Sequence, residues 1–560
     1  MCPFMMEDYA TLHQEHCLTV PQTFNFGGDV VDAWANDADK TALIWCDGSG
    51  LERSFTFSDV ARRSSQVAHW LTKEGIRKGE RIVVMLPRIP EWQIVLVGCL
   101  KVGAVPIPCI TMLTEKDVSY RVHHSGAVGA ITTIAEVEKF ETCGADFKAR
   151  LAIGGSGAGW HDYKDVGVFA TKFDVCELGA EEPAIIYYTS GSTGNPKGVC
   201  HASRSLFAWR VSAQYWLSLT PQDVMWCTAD TGWSKAGTSI LFGPWSQGST
   251  VLFYDGPFEP RQRFELIERY GVTVFCAAAT ELRHLVREDL ASFDLSCLRL
   301  TVSAGESVNP EVIHEWRSQT GVELLDGYGQ TETLMTVLNY PGMSVRPGSM
   351  GRPLPGVEAG ILCVDGSLGG PGDEGELLIR APNPQLMLGY WEDPDLTGQV
   401  MLRCNGSSWF RTGDNVRQDG DGYLFYIGRT DDIITSSGYR IGPQEVENVL
   451  IEHPLVQESA VVGLPDPERG EIVAAFVVLT DTSLASDQLV DDLQAHVKQM
   501  TAPYKYPRRV TFIDELPKTV SGKIQRNLLR QSVSAPSAVR NSEARERGRL
   551  AQKKPRERGV

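Results

Sequence analysis

The sequence predicts an α/β protein, in which a large N-terminal multi-layer α/β domain precedes a small mobile α+β C-terminal domain. At 560 residues the chain is several times longer than one ordinary core needs. Short all-apolar runs alternate with segments of helical period through roughly the first four hundred residues, and after Gly428 the elements become shorter. Ser58 is the expected N-cap of a helix in which Val60, Ser64, Val67 and Leu71 share one face, with Gly75 as its stop. The apolar run 82–86 suits a strand buried on both faces. Residues 91–102 read as a helix and 104–107 as a second strand, a β-α-β unit that implies a parallel sheet. The alternation recurs over 251–300, leaving room for two cores. Past 428 come a helix at 444–452, strands at 459–464 and 472–479, a helix from 488 and a strand at 509–513. The stretch 420–432 reads as a connection that can move. The expected domains are therefore 1–430 and 431–530, with 531–560 as a basic tail.

The formal net charge of −17 argues against a nucleic-acid surface on the main body, because phosphate binding needs clustered Lys and Arg. The tail is the exception, with eight Lys or Arg against three Glu and few apolar residues, the composition of a solvated segment. Thirteen cysteines show no C-x-x-C pair and irregular gaps, which fits reduced thiols rather than a disulfide framework or a structural metal site. The first residues lack a basic and then apolar leader, and no Arg precedes Arg53. The longest apolar stretch, 94–110, is broken by Lys101 and two prolines and is too interrupted to span a bilayer. A cytoplasmic protein is expected.

The apolar run 184–188 leads into Thr189-Ser190-Gly191-Ser192-Thr193-Gly194-Asn195-Pro196-Lys197-Gly198. Glycines let the backbone approach an anion and turn its N–H groups inward, the hydroxyls add donors, and Lys197 adds charge. The spacing is not that of a Walker A loop. Taken alone, such a string also fits a surface turn. It is joined, in order, by Asp326-Gly327-Tyr328-Gly329-Gln330-Thr331-Glu332, Arg411-Thr412-Gly413-Asp414, Gly428-Arg429-Thr430-Asp431-Asp432 and Pro517-Lys518-Thr519-Val520-Ser521-Gly522-Lys523. Together these strings closely resemble the phosphate loop, Y-G-x-T-E, T-G-D, hinge and C-terminal lysine motifs of the ANL superfamily of adenylating enzymes, over nearly the whole chain.

The resemblance implies ATP and coenzyme A as co-substrates, Mg²⁺ as cofactor, and a C-terminal lid. It places Tyr328 on adenine beside Gly305-Glu306-Ser307, Thr331 at the α-phosphate, Glu332 on Mg²⁺, and Asp414 on the ribose hydroxyls with Arg429 assisting. An aromatic face suits a purine, a carboxylate suits paired hydroxyl donors, and hard Mg²⁺ takes oxygen ligands. Lys523 would bridge the substrate carboxylate and the α-phosphate, with Lys518, five residues earlier, expected to be a solvated lysine. Rotation about Asp431 would then bring in Ser437, Gly438 and Arg440. Arg440 and Arg469 would bind coenzyme A phosphates, since guanidinium forks match phosphate oxygens; a surface salt bridge is the alternative for Arg469.

Three further strings, Thr228-Ala229-Asp230-Thr231-Gly232-Trp233, Ser436-Ser437-Gly438-Tyr439-Arg440-Ile441-Gly442-Pro443 and Ala502-Pro503-Tyr504-Lys505-Tyr506-Pro507-Arg508, resemble the medium-chain acyl-CoA synthetase and benzoate-CoA ligase branch. The implied activity is an AMP-forming acid:CoA ligase for medium-chain fatty or aromatic acids, with Trp233, Thr238, Ala277, Ala278, Ala279 and Gly329 as pocket walls. An ordinary core role for the alanine run is the alternative, and some relatives carry Trp in place of Thr238. Two rivals are an adenylating enzyme that loads a carrier protein and a catalytically silent nucleotide-binding scaffold. Against the scaffold, Lys523, Glu332 and Asp414 are all present.

Overall fold

The computed structural model describes residues 9–189, 195–437, 439–519 and 523–534. The chain divides into two compact units, Met1–Tyr426 and Ile427–Val560.

In the first unit the expected helix runs Phe57–Lys73, capped by Thr56 rather than Ser58. Thr56 and Asp59 form a reciprocal capping box, which satisfies two orphan N–H groups where Ser58 in the first turn could not. Val60, Ser64, Val67 and Leu71 are buried as expected. The strand Arg81–Met85, the helix Pro90–Val102 and the strand Val105–Cys109 form the β-α-β unit, and the two strands pair in parallel. The two helices pack closely at Gly98, where a Cβ would lie 2.6 Å from Val67 Cγ1. Gly129–Thr133, Ala149–Ile153 and His161–Asp162 complete a five-stranded parallel sheet. Lys101, on the inner face of the second helix, is fully buried and donates to Asp32 Oδ1 (2.6 Å), Ser65 Oγ (3.0 Å) and the Ala61 carbonyl (3.1 Å).

A larger sheet carries the candidate site. Its parallel run is Thr41–Asp47, Thr250–Asp255, Val224–Cys227, Val274–Cys276, Leu300–Ala304 and Leu324–Gln330, paired in that order. Leu324–Gln330 turns back through a hairpin to Leu334–Leu338, and antiparallel strands continue from there. The strand order of this 15-stranded sheet ends at Glu52–Thr56 on one side and at the two-residue strand Leu368–Gly369 on the other, with Met401–Cys404 paired off this path to Ser407–Gln418. At the first edge Glu52 accepts from Tyr270 and pairs with Arg269, while Arg53 lies 4.6 Å over the Trp45 ring and pairs with Glu91 at 3.0 Å. Separately, Pro183–Thr189 and Lys197–Ala202 form an antiparallel hairpin extended by Gly389–Tyr390. Thr189 and Lys197 are register partners, so both ends of the Gly/Ser-rich string are fixed; its residues 190–194 lie outside the described residues.

The second unit is the expected α+β module. Val456–Asp466 and Gly470–Leu479 form its central antiparallel pair, joined by Ile434–Ser436, Tyr439–Ile441 and the parallel strand Arg509–Phe512. Alternate residues face opposite ways: Val461, Val473 and Val477 pack with Val446, Leu450 and Leu493 of the helices Pro443–Ile451 and Asp487–Met500. Val462, Ala474 and Phe476 pack with Leu516 and with Leu529 of the helix Arg526–Ser534. The stretch read as a connection is partly a strand, Leu424–Arg429, and the boundary between the units falls inside it.

Candidate active site

Parallel strands place the loops that follow them at one edge of the sheet, where open α/β sheets bind ligands. Here those loops begin with Thr228, Ala277 and Gly305, and the neighbouring strand ends in Asp326–Gln330. Gly305 has φ +102° and, its chain neighbours apart, no atom of the described residues within 4 Å of where a Cβ would stand. Glu306 Oε1 accepts the Thr280 N–H at 2.8 Å, which ties this loop to the helix Ala279–Leu285.

Asp414, 4% exposed, is the centre of a hydrogen-bonded cluster. Its Oδ2 accepts from Tyr328 Oη at 2.6 Å and Gln330 Nε2 at 2.6 Å, and its Oδ1 from Tyr426 Oη at 3.4 Å. Gln330 Nε2 also donates to the Thr412 carbonyl at 2.8 Å. Burial, and then the Asp414 charge, push the Tyr328 phenol well above its usual range, so it remains a donor. The turn before Asp414 is braced by Glu376, which pairs with Arg411 at 2.6 Å and accepts the Gly413 N–H at 3.0 Å. Asp326 accepts from the Gly327 and Val308 N–H groups at 2.9 and 3.2 Å, yet burial pushes its carboxyl up to about 7.

Thr331 and Glu332 follow directly. Thr331 Oγ1 lies 3.2 Å from Ser234 Oγ, and the Thr331 carbonyl lies 2.6 Å from His201 Nε2. A carbonyl only accepts, so Nε2 carries the proton. Burial lowers the His201 pKa to about 4, so the ring is neutral, and its buried Nδ1 has no hydrogen-bond partner among the described residues. Glu332 Oε1 accepts from Tyr390 Oη at 2.9 Å, and Lys197 Nζ lies 5.4 Å from the Tyr390 ring centroid. The hairpin strand that carries Lys197 and the strand that carries Tyr390 thus bring a lysine, a phenol and a carboxylate together. Ser190, Gly191, Ser192, Thr193 and Gly194 lie outside the described residues.

The second unit holds the remaining residues singled out in the sequence. Lys523 is exposed, and its backbone closes a turn with Thr519: Thr519 N donates to Lys523 O at 2.8 Å and Lys523 N to Thr519 Oγ1 at 3.2 Å. Lys518 is not simply solvated, because its ammonium pairs with Glu458 at 2.6 Å. Ser437 N donates to the Arg469 carbonyl at 2.9 Å, and Arg469 Nη1 returns to Ser437 Oγ at 3.2 Å. Arg429 pairs with the hinge candidate Asp431 at 3.4 Å. Gly438 and the Arg440 side chain lie outside the described residues.

The model of the AMP-binding enzyme family matches residues 30–391, and that of the AMP-binding enzyme C-terminal domain matches 445–523. The chain belongs to the AMP-binding enzyme family. Among curated relatives of this AMP-binding enzyme, mouse mitochondrial acyl-coenzyme A synthetase ACSM3 is 41% identical over 94% of each chain. Human mitochondrial ACSM5 is 39% identical over 91% of each. Among solved structures, the anthranilate CoA ligase AuaEII with anthranoyl-AMP superposes with a TM-score of 0.84 at 30% identity, over 93% of this chain and 99% of that one. A benzoate CoA ligase from Burkholderia xenovorans LB400 gives 0.79 at 29% identity, over 90% and 100%. The α/β architecture with a smaller C-terminal domain is the one these structures share.

The acid-pocket candidates of this AMP-binding enzyme take distinct environments. Thr238 is buried and accepts from Trp209 Nε1 at 2.8 Å. Ala277 and Ala279 are fully buried in the apolar core with Trp226 and Phe275, whereas Ala278 and Trp233 are half-buried. At Gly329 a Cβ would lie 2.8 Å from both the Leu334 carbonyl carbon and Met335 Cα, and closer still to the Leu334 oxygen. Glycine is fixed there by the backbone of the hairpin. Sequence reasoning passed over His201, Tyr390, Tyr426 and Glu376. His201 alone carried a signal, as a single histidine inside an apolar strand four residues after Lys197. The second unit adds a Tyr439–Tyr504 stack at 4.1 Å between the two strings 436–443 and 502–508, and the cations Lys498 and Arg508 at 4.0 and 4.8 Å from the Tyr506 ring, of which Lys498 lies outside those strings.

Proposed function

We propose that this ATP-dependent acyl-CoA synthetase activates a medium-chain fatty or aromatic carboxylic acid, with residues 1–430 as the adenylating domain and 431–530 as its catalytic lid. The convergence of Gly305–Ser307, Tyr328–Glu332 and Asp414 at one edge of a parallel sheet, beside the hairpin that carries Lys197, is the observation that carries the reading. In the first half-reaction a carboxylate oxygen attacks the α-phosphorus of ATP. A P–O bond forms, the bond to the β-phosphate breaks, and pyrophosphate leaves an acyl-AMP anhydride. Two anions must meet, so fixed positive charge has the most to contribute. Lys197 supplies it at the phosphate string, and Lys523 supplies it from the lid, bridging carboxylate and α-phosphate.

Tyr328 offers its ring to adenine, and Asp414, held in orientation by Tyr328 and Gln330, offers its remaining lone pairs to the ribose hydroxyls. His201 fixes the carbonyl of Thr331 and so the direction in which that hydroxyl meets the α-phosphate. Among the described residues no cluster of three or more His, Cys, Asp or Glu could hold a metal. A lone carboxylate suits Mg²⁺, which keeps water and phosphate oxygens as its other ligands. Glu332, oriented by Tyr390, would hold it, and the ion would neutralise phosphate charge when bound with ATP.

In the second half-reaction the coenzyme A sulfur attacks the acyl carbon, the C–O bond to AMP breaks, and AMP leaves. Lys523 has to withdraw first, and Asp431 is the proposed pivot. Ser437, Gly438, Arg440 and Arg469 then face the thiol substrate, and the Ser437–Arg469 contact, with the Lys498–Tyr506–Arg508 group, supports a phosphate-binding role for this unit. Twelve described cysteines, all free, support a reducing compartment, in our reading the cytoplasm. The test is AMP formation with Mg²⁺-ATP across acids from acetate to dodecanoate, plus benzoate and phenylacetate, with and without coenzyme A. Acyl-CoA formation with a medium or aromatic acid is expected. Adenylate that coenzyme A fails to turn over would redirect the acceptor to a carrier protein, and no activation of any acid would sink the reading.

A further inference from the structure

Cys227 and Cys276 are the last residues of adjacent parallel strands and are register partners. They are 1% and 0% exposed and lie in the same core cluster, on one face of the sheet. Thr228 N donates to the Cys276 carbonyl at 3.1 Å, which ties the two strand ends together. The next residues along the two strands, Thr228 and Ala278 beyond Ala277, are half-buried, so the strand ends come up toward the surface. The reaction proposed above uses neither thiol. The charged groups acting on Cys276 are the Lys235 ammonium, whose Nζ donates to the Ala304 carbonyl at 3.0 Å, and the Glu281 carboxylate.

We propose that Cys227 and Cys276 form an oxidation-sensitive dithiol, which a peroxide closes to a disulfide, and that closure switches off acid activation. The neighbouring Cys227 thiol, and then the positive charge of Lys235, hold the Cys276 thiol below its ordinary range, while burial pushes Cys227 up. Cys276 is therefore the attacking sulfur. Its thiolate attacks one peroxide oxygen; an S–O bond forms, the O–O bond breaks, and hydroxide leaves to become water on taking up the proton that Cys276 gave. The Cys227 sulfur then attacks the sulfenic sulfur; the S–S bond forms, the S–O bond breaks, and the departing hydroxide takes the Cys227 proton as a second water. Both sulfurs are oxidised by one electron each, and the two peroxide oxygens are reduced.

Cβ atoms directly opposite on paired strands stand about 4.5–5.5 Å apart, and a disulfide holds them at about 3.8 Å, so closure draws the two residues, at their strand ends, together by about 1 Å. Those ends lead into Thr228–Trp233 and Ala277–Ala279, and Thr228 hydrogen-bonds Glu281 across them. A displacement of about 1 Å in groups that position a reactant costs on the order of 10²-fold in rate. The loss of activity rests on the proposed role of these two segments in holding the acid; the disulfide itself does not.

The experiment titrates the full chain with hydrogen peroxide, blocks remaining thiols, maps peptides without reduction, and follows acid-dependent ATP–pyrophosphate exchange. A peptide linked through Cys227 and Cys276 is expected to accumulate as exchange falls at least 10-fold, with both reversed by dithiothreitol. C227A and, as a second variant that keeps a hydroxyl, C276S should show the same exchange before and after peroxide. Loss of exchange without the linked peptide, or equal loss in both variants, overturns the proposal. A linked peptide with unchanged exchange overturns the switch alone, and absence of exchange before oxidation counts against the ligase reading while the map still reports on the pair.

Discussion

Gly329→Ala separates a residue kept small for substrate from one kept small for its own backbone. The added Cβ would stand 2.8 Å from the Leu334 carbonyl carbon and from Met335 Cα, so the hairpin must open by at least about 0.6 Å to reach an ordinary contact of 3.4 Å. Gly329 lies between Tyr328 and Gln330, both of which donate to Asp414 Oδ2 at 2.6 Å. An opening of that size stretches both bonds beyond their short, charge-assisted length, and each bond to a charged group is worth about 1.5–3 kcal/mol. Losing the equivalent of one such bond raises the KM for ATP by roughly 10-fold to 150-fold, while overpacking lowers stability by about 1–3 kcal/mol. Exchange of pyrophosphate into ATP, measured across ATP concentrations at saturating acid and then across acid concentrations at saturating ATP, distinguishes the two effects. A KM for ATP within twofold of the parent, with the KM for acid altered instead, would refute the backbone argument and return Gly329 to the acid pocket.

Three further outcomes follow from the same geometry. Tyr390→Phe removes the hydroxyl from Glu332 Oε1 but keeps the ring beside Lys197, so the Mg²⁺ concentration for half-maximal exchange should rise about 10-fold, from a charged hydrogen bond of about 1.5 kcal/mol; an unchanged Mg²⁺ titration would count against the role of Glu332. Lys523→Ala should lower acid-dependent exchange on the order of 10²-fold to 10³-fold while sparing thioester formation from supplied acyl-AMP, and Lys518→Ala, which breaks only the partly exposed pair with Glu458, should leave exchange within about twofold. For Asp223, burial pushes the carboxyl up, but hydrogen bonds from Arg299 and Thr273 and the Arg299 charge more than offset it and leave the pKa depressed. Asp223→Asn strands the Arg299 charge and should cost about 3 kcal/mol at pH 7. A depressed folded pKa gives stability that is full above the unfolded value of about 3.9 and is lost as pH falls through the folded value; urea titrations should therefore show the gap between variant and parent closing below about pH 4.

Much of the fold was legible because it is written locally. The apolar run 82–86 and the periodic segments on either side of it needed no knowledge of the rest of the chain, and they lie within a residue or two of Arg81–Met85, Phe57–Lys73 and Pro90–Val102. The cap moved from Ser58 to Thr56 because Asp59 answers Thr56 three residues on, a signal present in the sequence and passed over. The connection expected over 420–432 contains a strand because its pairing partner, Ser349–Pro353, is some seventy residues away and invisible to local reading. The candidate site divides along the same line. Tyr328, Gln330 and Asp414 could be singled out as strings, but that Tyr328 and Gln330 both donate to Asp414 is a property of strand order. Tyr390 reaches Glu332 only because its two-residue strand pairs with the strand carrying Lys197. Gly329 looked like room for a substrate, since a missing side chain reads the same whether a ligand or a carbonyl takes its place.

The edges of the large sheet bear on how this chain behaves at high concentration. An unpaired strand is a template on which a second copy can build, because its edge offers a row of unpaired N–H and C=O groups. At one end the last strand has two residues, too few to offer a ladder. At the other, Glu52 and Arg53 put adjacent opposite charges on the strand, Arg269 and Tyr270 tie down the first, and Trp45 and Glu91 the second. A strand arriving alongside would have to break or bury these ion pairs before gaining its first backbone bond. The same charged residues that finish the sheet at this end therefore also keep this end from becoming the seed of an aggregate.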